Sequence, residues 1–279
     1  MAAALSPLAA DVRRYDRDRF VTVLFAPADR REALFALYAF NAEIARIREL
    51  VTEPLLGEMR LQWWRDALDT IYAGNDLAHP VAMGLAAAIR THRLSRPLFD
   101  ELIDARAADM VNGPPDALAT LIAYARGTGA TVAALALEIL GASGEAAQRA
   151  ARPAGVGWAL AGLLRAVPFH ASTGRIFIPA DLMAEHDVVA DDIVSGKATP
   201  NLARVAKTLA GWAEDHLAHA RAERSSLPRS ARSALLTVPL AEAYLRRLAR
   251  ARYDLMDTNW SVPRPAVIRL TRRSLTTGY

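Results

Sequence analysis

The sequence contains no cysteine. That excludes a disulfide framework, a thiolate zinc site and a cysteine nucleophile together, and it permits a reducing compartment without establishing one. Lysine is almost missing too. Lys197 and Lys207 are the only two, so the formal charge of +4 rests on arginine. Phosphate binding would call for arginine, but a base-composition bias in the coding DNA is the blander source. Long apolar runs are also scarce. Residues 1–20 hold no basic region followed by an apolar stretch, so no secretory signal is expected. Stretches 131–140 and 156–164 are interrupted by Glu138 or fall far short of the ~20 residues a spanning helix needs. No Gly-rich phosphate loop or zinc spacing is present, and no nucleic-acid partner is expected. These absences predict a cytoplasmic protein with at most peripheral contact at the inner face of a membrane.

What is present favours helix. Of the 279 residues, 52% are hydrophobic and 23% charged, an ordinary globular balance, with alanine and leucine abundant and β-branched runs few. A chain of this length buries about three quarters of its unfolded surface. After a lead over 1–19, helices are predicted near 32–50, 55–72, 80–92 and 97–111. Beyond the turn Asn112-Gly113-Pro114-Pro115, alanine-rich helices are predicted at 116–126 and 128–140. A further helix from about 144 should kink or end at Pro168. On it, Gly155, Gly157 and Gly162 allow close backbone approach. Segments 175–179 and 188–194 read as extended. Long helices follow at 201–224 and 230–255, with a final one at 265–274. No repeat or linker divides the chain, so the expectation is one all-α domain of about 10–12 helices over 20–279.

The stretch 32–50, EALFALYAFNAEIARIREL, stands out. As a helix it puts Leu34, Leu37, Tyr38, Asn41, Ala45 and Arg48 on one stripe with Glu49 at its edge. Buried polar groups without partners cost about 1–3 kcal/mol each, so a stripe this polar reads as a cavity wall. On the next helix Met59, Trp63, Ala67 and Thr70 recur at helical spacing.

Leu24-Phe25-Ala26-Pro27 with Arg30-Arg31, and then Ala36-Leu37-Tyr38-Ala39-Phe40, resemble the start of the squalene and phytoene synthase family. Trp64-Arg65, His79-Pro80-Val81, Tyr124 with 128–132, and Gly174-Arg175-Ile176-Phe177-Ile178-Pro179 follow in the family's order at similar spacing. The resemblance covers about 20–275 and implies an all-α isoprenoid-synthase fold around a central cavity. Active members join two prenyl diphosphates head to head. Their two aspartate-rich helices face across the cavity and hold magnesium, which stabilises the leaving diphosphate.

Aligned on the first of those motifs, this chain has Ala45, Arg46 and Glu49 where the family has aspartates. Aligned on the second, it keeps Arg165 but has Ala166 and His170 at the aspartate positions, and Ala159 and Gly162 replace the family's glutamine and asparagine. A lone Glu49 beside Arg46 does not supply the oxygen ligands a hard divalent ion needs. No metal site and no cofactor are expected, with magnesium required only if the chain is an active transferase. Tyr38, Asn41, Arg48, Glu49, Arg65, Asp109, Arg165 and His170 are the candidate cavity-lining or anion-binding residues. Asp109 reads equally as an ion pair with Arg106, and His170 as a structural polar group. Arg60, Arg65 and Arg165 reach an anion or pair with Glu43, Glu49, Glu58 and Asp109. Asp100 with Asp104, and Asp187 with Asp191, read as solvated or capping carboxylates, and His216 with His219 as a surface pair.

Phe40-Asn41-Ala42-Glu43-Ile44-Ala45, the run 58–64, Leu137-Glu138-Ile139-Leu140-Gly141 and the run 165–170 resemble a branch of the family that has lost the aspartates. That branch includes an assembly factor of mitochondrial respiratory complex I. The resemblance implies a catalytically degenerate helper with a respiratory-complex partner, and a lipid, prenyl group or partner helix in the old active-site cavity. The alternative is an active transferase using farnesyl or geranylgeranyl diphosphate. The basic stretch 264–273 is a candidate for peripheral membrane contact.

Overall fold

Prolines and short polar caps set many of the helix starts. Ser6 Oγ accepts from the Ala9 N–H at 3.1 Å ahead of Pro7, and Thr199 Oγ1 accepts from the Leu202 N–H at 3.1 Å ahead of Pro200. His79 Nδ1 does the same for the Ala82 N–H at 3.4 Å ahead of Pro80. The computed structural model describes residues 5–262. Among them are thirteen α-helices and no strand.

Helix α1 (Pro7–Tyr15) buries Leu8, Ala9 and Val12, and α2 (Arg17–Val23) follows directly. The described part of the lead expected over 1–19 therefore joins the domain core, because α1 packs on α3 (Arg31–Ala45) and α5 (Pro80–His92). Helix α4 (Pro54–Tyr72) packs on α6 (Arg96–Ala107), and Phe40 of α3 meets Trp64 of α4 and Phe99 of α6 with ring centroids at 4.8 and 5.6 Å. The Met59–Trp63 stripe of α4 faces outward. The buried face is Leu61, Trp64, Leu68 and Ile71.

The two alanine-rich helices predicted beyond Pro115 are one. Helix α7 (Leu118–Ala125) runs through a π-turn (Arg126–Ala130) into α8 (Thr131–Ile139). Glycines carry the chain through, because this turn lies against α9 (Gly144–Ser172): a Cβ on Gly155 would fall 2.3 Å from the Gly129 carbonyl. The continuous helix Leu118–Ile139 is long and apolar enough to cross a membrane, but half of its apolar window is buried inside the bundle. Pro168 does not end α9, which continues to Ser172, because flanking Leu164, Val167 and Ala171 are buried and offset the lost helical bond.

No strand forms at 175–179, and 190–194 is helical: α10 (Ala180–Glu185) and α11 (Ala190–Val194) are short. Helix α12 (Pro200–Glu223) packs along α9, and a 3-10 segment (Arg229–Leu236) leads into α13 (Thr237–Arg250). The predicted helix 265–274 and the basic stretch 264–273 lie outside the described residues.

Candidate functional site

Helices α2, α3, α6, α7 and α9 surround an inner chamber of about 170 Å³. Arg19, Asn41, Arg106, Tyr124, Trp158 and Gly162 are among its walls. Gly162 has open space where a side chain would stand, so this position widens the chamber instead of closing a helix contact as Gly155 does. An outer chamber of about 330 Å³ lies beyond Tyr124, with Val111, Thr120, Arg175 and Phe177 among its walls.

Tyr124 divides the two chambers, and a buried network fixes it. Its hydroxyl donates to Asp109 Oδ1 at 2.8 Å and accepts from Arg106 Nη1 at 2.8 Å. Arg106 also pairs with Asp109 Oδ2 at 3.3 Å, and Arg175 Nη2 donates to the Asp109 backbone carbonyl at 3.0 Å. Burial pushes the Tyr124 hydroxyl above its ordinary range, against the pull of Arg106, so it remains a donor at physiological pH. Asp109 is 3% exposed and stands behind this wall as an ion pair.

The other candidates take different places. Asn41 lines the inner chamber. Tyr38 backs it, 3% exposed, with the Arg19 guanidinium 5.3 Å from its ring centroid; burial pushes its hydroxyl up to about 12, tempered by Arg19. Helix α3 ends at Ala45 and gives way to a 3-10 turn (Ile47–Leu50), which rotates Arg48 and Glu49 off the predicted stripe. Arg48 donates to the Val51 carbonyl at 3.2 Å; Glu49 pairs with Arg46 at 3.6 Å, and Arg46 lies over the Tyr15 ring. Arg65 pairs with Asp104 at 2.8 Å at the surface, and neither is among the walls of the two chambers. Asp100 likewise pairs with Arg96 at 2.8 Å.

Arg165 is held by Asp18 of α2 at 2.9 Å and covers the Tyr244 ring at 3.7 Å, while Tyr244 donates to the same carboxylate at 2.8 Å. His170 packs on Phe177 with centroids 4.6 Å apart, and its buried Nδ1 has no hydrogen-bond partner. Burial, reinforced by the Arg175 charge and opposed by Asp109, depresses His170 to about 4, so it is neutral near pH 7. Ala45, Arg46, Glu49, Ala166 and His170 lie outside the linings of both chambers.

Sequence reasoning missed Asp18, Arg19 and Tyr244. The available signal was Asp16-Arg17-Asp18-Arg19 just before an apolar turn: Asp16 caps α2 and pairs with Arg19 at 2.9 Å, an arrangement that turns Arg19 inward.

The sequence matches the squalene/phytoene synthase family over residues 12–272. The chain belongs to this family. It is 34% identical over 244 residues to the NADH dehydrogenase (ubiquinone) complex I assembly factor 6 of Bos taurus, a match covering 88% of this chain and 73% of that one. To the presqualene diphosphate synthase of Zymomonas mobilis it is 26% identical over 259 residues, covering 88% and 87%. The crystal structure of a squalene synthase from Alicyclobacillus acidocaldarius superposes with a TM-score of 0.79 at 23% identity, covering 88% and 93%, which establishes the isoprenoid-synthase fold.

The magnesium that active family members use does not fit the residues present. Ala45 and Ala166 carry no donor atom, Glu49 is engaged by Arg46, and His170 offers one buried nitrogen where a hard cation requires oxygen. Among the described residues, no three His, Asp or Glu side chains are placed to hold a metal ion. The arrangement can hold an apolar group against arginine and tyrosine walls.

Proposed function

We propose that this protein is a synthase-like helper in the assembly of respiratory NADH dehydrogenase and does not itself transfer prenyl groups. The observation that carries the reading is the pairing of a retained fold with alanine at Ala45 and Ala166 and a neutral His170 where the family's magnesium ligands stand. The likeness to complex I assembly factor 6 supports the same reading and supplies the partner class, a respiratory-complex subunit or another assembly protein.

The inner chamber is smaller than the ~300–1,000 Å³ of pockets that enclose drug-sized ligands. A lipid or prenyl ligand would therefore place only part of its chain there and rest mainly in the outer chamber. The working location is cytoplasmic, with contact at the inner face of the membrane where the complex is built.

Deleting the gene in the native organism tests the role. Membrane NADH dehydrogenase activity and the fully assembled complex should both fall, and unchanged assembly would overturn the proposal. Purified protein incubated with farnesyl or geranylgeranyl diphosphate and magnesium, with and without NADPH, should release no diphosphate. Turnover on the order of 1 s⁻¹ would establish the transferase instead.

A further inference from the structure

The inner chamber is walled by N–H donors that the fold does not use. Asn41 is 5% exposed, and its amide has no hydrogen-bond partner among the described residues. Its polar atoms are not sealed in protein, as Glu43 Oε2 and His170 Nδ1 are, but stand at the open space of the chamber. An amide withdrawn from bulk water and given no protein partner is costly to keep, which marks it as a contact for something that enters.

Arg19 faces the same space from α2. Its Nη1 pairs with Asp16 at 2.9 Å, while Nε and Nη2 have no partner among the described residues. The Tyr38 and Trp158 ring centroids, 5.3 and 5.8 Å away, orient the guanidinium. Arg106 faces in from α6, with Nη1 committed to Asp109 and Tyr124. The hydroxyl protons are spoken for: Tyr124 donates to Asp109, and Thr128 to the Tyr124 carbonyl at 2.7 Å. Donors are therefore in excess, and the matching ligand group is an oxygen acceptor.

The charges joined to these walls select among acceptors. Asp16 balances Arg19, and Asp18 balances Arg165, about a turn beyond Gly162 on α9. Asp109 alone faces two guanidiniums, Arg106 at 3.3 Å and Arg175 at 3.7 Å, and His170 is neutral near pH 7. One positive charge is left over. A carboxylate cancels it, a hydroxyl leaves it and a diphosphate overshoots it. On the apolar side, Leu163 continues from this chamber into a seam with Leu121 and Phe177, which also line the outer chamber. The seam has about 10 Å³ free, room for roughly one water molecule, so a tail entering it has to turn a side chain aside.

We propose that the inner chamber binds the carboxylate end of an aliphatic acid, held by Asn41, Arg19 and Arg106, while the tail follows the Leu163 seam to the outer chamber. The volume agrees, since 170 Å³ takes a carboxylate and a few carbons but not a whole lipid. A fatty acid and an isoprenoid acid share this chemistry. The inference deepens the helper reading and rests on it for treating the cavity as a site that binds and does not transfer.

The test uses the full chain near pH 7 without magnesium. Dodecanoate and farnesoate are compared with dodecanol, farnesol and farnesyl diphosphate by calorimetry and Trp fluorescence. Each acid should bind about ten-fold more tightly than its alcohol, and farnesoate more tightly than the diphosphate; the tighter of the two acids names the source. Asn41→Leu should weaken both acids about five-fold or more without lowering the unfolding midpoint, whereas an amide that only supported the fold would lower it. Gly162→Leu, placed where a side chain meets open space, should fill the chamber and abolish acid binding. Parent-like acid binding in either variant overturns the inference, as do equal affinities for acid and alcohol, tighter binding of the diphosphate, or no binding of either acid.

Failure of the helper reading looks different. Diphosphate release with magnesium, or unchanged NADH dehydrogenase assembly after deletion, removes that reading whatever the acids do. Impaired assembly after deletion, together with a purified protein that binds neither acid, removes this inference alone.

Discussion

Arg165 and Asp18, 147 residues apart in the chain, meet at 2.9 Å, with the guanidinium laid across the Tyr244 ring. The arginine at the head of the family's second aspartate motif is thus neutralised by a carboxylate from α2 and stacked on α13. It ties three helices together.

Removing that tie should lower stability. Asp18→Asn is expected to cost about 1.5–3 kcal/mol, the usual range for a hydrogen bond to a charged group, and Tyr244→Phe about 0.5–1.5 kcal/mol. Urea unfolding of the two variants and the double variant reads both values and their coupling.

The Asp109 network should be more sensitive. Asp109→Ala leaves Arg106 buried beside Tyr124 without its carboxylate, at an expected cost of about 3–5 kcal/mol. Tyr124→Phe, which keeps the Arg106–Asp109 pair, should cost far less. Equal losses in chemical unfolding would mean that the hydroxyl, and not the charge pair, holds this wall.

Two glycines on one helix should respond in opposite ways. A Cβ at Gly155 falls 2.3 Å from backbone atoms of Gly129 and Ala130, whereas at Gly162 nothing lies within 4 Å. Gly155→Ala is expected to destabilise by roughly 3 kcal/mol or more or to prevent folding, since backbone cannot yield as a side chain does. Gly162→Ala should be neutral or stabilising by up to about 1 kcal/mol through helix propensity. Thermal unfolding distinguishes them.

His170 gives a pH signature. Its folded pKa of about 4 lies below the unfolded value, so as pH falls through ~6.5 the unfolded state takes up a proton that the folded state refuses. Stability is complete above that pH and declines toward pH 4, at no more than about 1.4 kcal/mol per pH unit from this one group. In His170→Gln that part of the decline should vanish. Identical pH–stability curves for the two proteins would refute the assignment.

Magnesium should not stabilise the protein. A ligand that binds only the folded state raises the unfolding midpoint with concentration. With Ala45, Ala166 and His170 at the motif positions, millimolar MgCl₂ should leave the midpoint within about 1 °C of its metal-free value. A rise that grows with concentration would reveal ligands outside the aspartate motifs.

Helical spacing, Pro starts and alanine content located nearly every long helix, because those signals are local. Boundaries failed where packing outranked them. The glycines at the expected break do not separate two helices: Gly127 lets one helix pass close to Ala105 of α6, and Gly129 lets it pass close to Gly155 of α9. Pro168 looks like a stop, yet burial of its neighbours carries α9 four residues further. Met59 and Trp63 recur at helical spacing yet face outward, because periodicity reports that a face is apolar without saying which way it points.

By itself the sequence determined the all-α fold and the side chains that stand at Ala45, Ala166 and His170, since residue identity decides whether an oxygen donor exists at a position at all. Only the tertiary structure decided where the remaining charges go. It gave Arg165 to Asp18, Arg65 to Asp104 and Asp109 to Arg106, and left Glu43 with an unpartnered oxygen beside an exposed apolar face. The reason is distance. A salt bridge or an orphaned carboxylate depends on atoms within a few ångströms in space, and apart from Asp109 with Arg106 the partners here come from helices far apart along the chain.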